Sequence, residues 1–332
     1  MPIEEFLSPK ILIVSGKGGV GKTTVSAALA LVAARHGRRV CIADVDRKGS
    51  LARLFGGGEL GHEPRELAPG VWGMNISPEE ALGEYLDVQY HMKRVSKVFT
   101  STHFVDYITT AAPGLKDILI LGKIWYLEQG REGGGSPVDF DTIIVDAPAA
   151  GHMLTFLSAP MGLSDAIRVG PVRRQSDWLV QMLRDPARTR VHLVTLPEEM
   201  PVAETMETSE ALHSKLGIDP GTVFANAVYQ ELLTSEERKT LDAVMEDGDP
   251  RKELRIRAAE VALRLDDDDL DALIDYERFL EARRSIQSKH LRVLRKNIDD
   301  PVVELPFLFS SGLALPDIET LADVIEDKVG ER

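Results

Sequence analysis

Cysteine is almost missing from this chain. Its single cysteine, Cys41, excludes an intrachain disulfide and any CxxC zinc or redox pair. No apolar stretch reaches the roughly 18 uninterrupted residues that a membrane helix needs. The opening MPIEEFLSPK lacks a basic segment ahead of an apolar one, so no secretory leader and a cytoplasmic location are expected. Positive charge is also short: 39 basic against 53 acidic residues give a net charge of -14. Phosphate backbones and anionic lipid surfaces are therefore disfavoured as partners. With 43% hydrophobic, 28% charged and 6% aromatic residues, the rest is ordinary globular composition, which excludes disordered and fibrous classes.

At 332 residues the chain is long enough for about two domains, or for one large α/β domain with an insertion. Short β-branched apolar runs recur along it: Lys10 to Ser15, Arg39 to Asp46, Asp141 to Asp146, Arg190 to Leu196, Thr222 to Val228, and a sixth at Val302 to Leu305. Helical patterns separate them. Continuous apolar strands alternating with helices predict an α/β fold, a mostly parallel sheet covered by helices on both faces. Two stretches break the alternation. From about 77 to 137 the apolar spacing is helical, with Val95, Phe99, Phe104, Ile118, Trp125 and their neighbours, ending in the glycine-rich Gly130 to Pro137. From about 234 to 297 a charged stretch carries Leu270, Leu273, Ile274 and Leu280 at helical spacing behind the acid run Asp266 to Asp269. The expected organisation is a main domain at 1–76 and 138–332, interrupted by a helical insertion at 77–137.

Gly16, Lys17, Gly18, Gly19, Val20, Gly21, Lys22 and Thr23 match G-x-x-x-x-G-K-[ST], directly after a strand and at the start of a helix, the context this motif requires. A chance match in a chain of this length is an event on the order of one per cent. The reading is a P-loop that takes ATP with Mg2+. Backbone N–H groups converge on the β-phosphate, Lys22 spans β and γ oxygens, and the Thr23 hydroxyl ligates the metal. Asp146, at the end of its strand, holds the ion's water shell from the far side. Asp141 lies about 16 Å along the same strand at 3.3 Å per residue and is read as structural.

The additional lysine of GKGGVGKTT, Lys17, together with the DxD of Asp44 and Asp46, resembles the deviant Walker A motif of the SIMIBI ATPases. Within that class, FDTIIVDAPAAGH (140–152), VTLPEEMPVAET (194–205) and APGLKD (112–117) resemble the arsenite-pump and tail-anchored-protein-targeting ATPases. Those are P-loop proteins with a helical subdomain between switch I and switch II. The resemblance implies that Lys17 reaches a partner subunit's phosphates and that Asp46 orients the attacking water and joins Thr23 and Asp146 around the metal. It also implies that Gly16 to Thr24 cradle the nucleotide, with Asn226 and Pro306 of ELPFL beside the adenine. The implied function is an ATP-driven dimer, of two copies or with a related ATPase subunit, that opens and closes on a hydrophobic or tail-anchored protein client. No nucleic acid partner and no direct membrane insertion are expected. Metalloid or anion efflux coupling is an alternative, against which the missing cysteines count, and a MinD- or ParA-like positioning role is another, against which the acidic C-terminal segment counts. Switch I here reads DRKGS where the family has DPAHS.

Overall fold

The computed structural model describes residues 2–45, 49–90, 114–130, 138–231, 236, 239, 250–260 and 262–330. Chain order is α1 (Ile3–Phe6), β1 (Ile11–Gly16), α2 (Lys22–Arg35), β2 (Val40–Asp44), α3 (Ser50–Leu54), β3 (Arg65–Ala68), β4 (Val71–Asn75), α4 (Pro78–Tyr90) and α5 (Leu115–Gln129). It continues with β5 (Thr142–Ala149), α6 (Ala150–Ala166), α7 (Pro171–Arg184), β6 (Thr189–Thr195), α8 (Glu199–Ala211), β7 (Pro220–Val228), α9 (Pro250–Glu260), α10 (Asp267–Asn297), β8 (Val302–Pro306) and α11 (Leu315–Gly330). The eight strands form one sheet in the order β3-β4-β2-β5-β1-β6-β7-β8. Every pairing is parallel except β3 with β4.

The apolar run Ile11–Val14 shows why the inner strands do not alternate with polar residues. Ile11 and Ile13 enter one core beneath α5, α6, α7 and α8, while Leu12 and Val14 enter a second core beneath α2 and α11. Both faces of the sheet are dry, so both need apolar side chains. On the second face α2 is mostly alanine, valine and leucine and packs along α11. On the first, α5 contributes Ile120, Leu121, Ile124 and Leu127 to the same cluster as β1 and β5.

All six expected strands are present, and β3 and β4 extend the sheet beyond β2. That hairpin turns at Pro69 and Gly70, where Gly70 has φ +78°, and Trp72 on β4 packs edge-on against Phe140 at 5.7 Å. Within the stretch 77–137, α4 and α5 are helical; residues 91–113 and 131–137 lie outside the described set. The acid run Asp266–Asp269 is a helix start: the Asp266 carboxylate accepts from Asp269 N at 2.8 Å and Asp269 accepts from Asp266 N at 3.1 Å, a reciprocal capping box that opens the 31-residue α10.

Candidate active site

Because β1 lies between β5 and β6, the segment after it emerges at the centre of the sheet's carboxyl edge. Gly16 ends the strand flush against its neighbour: a Cβ there would stand 2.0 Å from the Val194 carbonyl oxygen. Gly21 has φ +94°, and a Cβ on it would meet Asn226 Nδ2 at 2.3 Å. Asn226, from β7, donates that amide to the Val20 carbonyl at 2.9 Å and so clamps the loop from the side. Gly16 is required by the close approach of a neighbouring backbone, and Gly21 by its left-handed φ and the Asn226 side chain.

The loop passes directly into α2, whose first residue is Lys22 and whose first turn holds no acidic side chain. The positive end of the helix, which carries the first-turn N–H groups of Lys22, Thr23 and Thr24, therefore meets the loop with no acidic side chain in that turn to offset it, as an anion site requires. Lys22 is nearly buried and donates to the Lys17 carbonyl at 3.4 Å. Val20 has its side chain in the second core, so only its backbone is available to a ligand. Gly18 and Gly19 have nothing within 4 Å of a Cβ position, which leaves the loop's crown open.

Thr23 Oγ1 donates to Asp146 Oδ2 at 2.6 Å, and Ser26 Oγ lies 3.5 Å from Oδ1. Asp146 sits within β5, paired in register with Val14 on one side and Asp44 on the other, and is 3% exposed. A hydroxyl and a carboxylate in contact beside a phosphate cradle are hard oxygen donors of the kind Mg2+ takes, so the residues present fit that ion. Thr23 would ligate it directly and Asp146 through its water shell. When bound, the metal neutralises charge on the nucleotide's β and γ oxygens. Asp46 lies outside the described residues. Asp141 is structural: it accepts Arg39 N at 2.8 Å and pairs with the Arg39 guanidinium, fastening β2 to the entry of β5.

Pro306 is buried and stands beside Val228 across the β7–β8 pair. Just beyond, Tyr229 and Phe307 stack at 4.8 Å and Phe309 joins them edge-on. Asn226 and this aromatic wall thus share the same end of the sheet.

Lys17 makes an ion pair within its own chain, Nζ to Glu204 Oε2 at 3.3 Å. Glu204, Ser26 and a second polar group, Lys123 with Glu84 and His62, hold no defined position in a motif of the sequence. Lys123 is 6% exposed, 2.7 Å from Glu84, which is also 3.0 Å from His62. Burial pushes the Glu84 carboxyl up, but its bonds to His62 and Lys123 outweigh that and hold it below the usual range. No local signal marks these residues, because each partner comes from a different element.

Glu84 and Lys123 border a cavity of about 190 Å³ between α4, α5, α6 and α7, walled by Leu115, Leu119, Trp125, Leu163, Val172 and Trp178. Trp125 and Trp178 stack at 5.3 Å, and Trp178 and Val172 reach the surface. Cys41 is fully buried in β2, and burial pushes its thiol up to about 12, against a weaker opposing pull from Lys123.

Residues 9–174, half the chain, match the family model described as anion-transporting ATPase. The chain is similar to ATPase BagA of Mycobacterium tuberculosis, at 31% identity over 95% of this chain and 92% of that protein. It is also similar to an arsenical pump-driving ATPase of Acidiphilium multivorum, at 27% identity over 67% of this chain and 40% of that protein. Together with a complete P-loop at the carboxyl edge of a parallel sheet, these matches make the chain a member of the ArsA-type anion-transporting ATPase family, a P-loop ATP hydrolase.

Proposed function

We propose that this ATPase works as a closing and opening pair of subunits, two copies or one with a related ATPase, whose nucleotide state controls access to an apolar site between α4, α5, α6 and α7. The observation that carries the reading is the connection between the two sites. Asp146, in contact with Thr23 of the P-loop, lies on β5, and β5 runs without interruption into α6, which supplies Leu163 to the cavity wall. A shift of Asp146 on nucleotide binding or loss has a rigid path to the cavity. A hydrophobic helical client, with a side chain seated between Trp125, Trp178 and Leu119, matches such a lining. Mg2+ is its ATPase cofactor, held by Thr23, Asp146 and, on the family resemblance, Asp46. Lys17 serves as the cation that one subunit offers to the other's phosphates.

Metalloid efflux coupling is the runner-up, supported by the similarity to an arsenical pump-driving ATPase. Cys41 speaks against a thiolate site, since a fully buried thiol held near 12 is protonated at neutral pH.

The test uses a fluorescent apolar helical peptide and the Asp46→Asn protein, which is expected to bind ATP and hydrolyse it slowly. Anisotropy is compared with and without ATP and Mg2+, and again for Trp178→Asp. ATP-dependent binding that Trp178→Asp abolishes is the expected result. Binding indifferent to both the nucleotide and the substitution would remove the client reading and leave the ATPase.

A further inference from the structure

The first lysine of the P-loop is held in an ion pair. Lys17 Nζ stands 3.3 Å from Glu204, and the two side chains are 34% and 33% exposed, so the pair is formed at the site mouth where solvent and ligand both reach it. Its placement follows from the sheet. β6 is parallel to β1 and adjacent to it, Gly16 rests on Val194, and both strands therefore deliver their next segments to the same edge. The chain leaving β6 enters α8, which buries Val202, Thr205, Thr208 and Ser209 against the body and leaves Glu204 turned to the P-loop.

A P-loop gathers positive potential for a polyanion, and Glu204 places a carboxylate on one of its two lysines. The nucleotide's phosphates and this carboxylate compete for the same ammonium, because each gains most from a close charged contact. We propose that Glu204 is an intrachain latch on Lys17: nucleotide binding must break the Lys17–Glu204 pair, and breaking it releases the α8 edge that the pair ties to the P-loop. The latch rests on the nucleotide reading of the P-loop and not on the client: phosphates of either subunit that draw Lys17 must first take it from Glu204. Exposed pairs of this kind shift equilibria by only a few fold, which suits a device that must open at each turnover.

The experiment is equilibrium titration with a fluorescent ATP analogue and Mg2+, at low salt, of the unaltered protein, Glu204→Gln, Lys17→Ala and the double variant. Glu204→Gln is expected to bind the analogue about two- to fivefold more tightly, with a gain that shrinks as salt is raised and vanishes in the Lys17→Ala background. Hydrogen exchange of residues 199–211 without nucleotide is expected to be faster in Glu204→Gln, at the level the unaltered protein reaches only with nucleotide. An unchanged affinity, or the same gain with and without Lys17, overturns the latch. Weaker binding by Glu204→Gln also overturns it, since the carboxylate would then be holding Lys17 in the useful position. Failure of the unaltered protein to bind the analogue would remove the P-loop reading itself, whereas normal binding with no effect of Glu204 removes the latch alone.

Discussion

Thr23 and Asp146, 123 residues apart in sequence, share a 2.6 Å hydrogen bond at the floor of the nucleotide site. Parallel pairing of β1 with β5 makes this contact, since it brings the carboxylate level with the first turn of α2. Thr23→Val keeps the side chain's shape and removes the hydroxyl. ATP affinity in the presence of Mg2+ is expected to fall by about ten- to a hundredfold, the weight of one or two polar contacts to a charged group. With the metal chelated, little change is expected. Equal losses in both conditions would show that Thr23 serves the phosphates and not the ion.

Gly21→Ala tests the clamp. Left-handed backbone costs a non-glycine residue about 1–2 kcal/mol, and here a Cβ also meets Asn226 Nδ2 at 2.3 Å. The variant is expected to lose stability by more than that backbone cost and to bind ATP poorly. In an Asn226→Ala background the steric part disappears, so the further penalty of Gly21→Ala is smaller. Additive effects in denaturant titration would show that the two residues do not compete for the same space.

The two P-loop lysines separate by role. Lys22→Ala is expected to abolish productive ATP binding, since Lys22 opens α2 at the cradle. Lys17→Ala is expected to retain binding and to lose hydrolysis by up to roughly 10³, the range for a charge-stabilising cation supplied at the transition state. Single-turnover rates of Lys17→Ala equal to those of the unaltered protein would rule out a shared-site cation.

His192 sets an acid limit on stability. It is fully buried in β6 between the rings of Phe6 and Phe224; burial lowers its pKa to about 4, and the Thr222 N–H donated to Nδ1 occupies the lone pair of the neutral ring. The unfolded chain protonates near 6.5, so between those values the unfolded state binds the extra proton. The contribution is therefore complete above about pH 6.5 and is lost progressively as pH falls toward 4, by on the order of 3 kcal/mol. Urea unfolding across this window should become less pH-dependent in His192→Gln. An identical pH slope would assign the acid sensitivity to other groups.

Much of the site was legible because its determinants are local. The glycine spacing, Lys22 and Thr23 lie within eight consecutive residues, and strand and helix patterns flank them. Asp146 was readable because an acidic residue ending an apolar strand has few structural uses. β3 and β4 were not legible: Arg65–Ala68 is a polar edge strand and Val71–Asn75 is short and interrupted by Gly73, although Pro69–Gly70 carried a turn signal. Lys123 and Glu84 were not legible either, because a charged residue in an amphipathic helix looks the same whether it faces water or a buried partner.

The sequence by itself determined the local parts of this protein: a glycine-rich P-loop, its lysines, the Thr23 hydroxyl and a parallel α/β scaffold to carry them, all encoded by short-range spacing and by runs of apolar residues. Tertiary structure decided the relationships between distant segments. It placed Asn226 over Gly21, Glu204 on Lys17, and α6 between Asp146 and the Trp125–Trp178 cavity. Strand order is the physical reason. Which strands lie side by side is set by the packing of two complete cores, and no window of sequence contains both partners of such a contact.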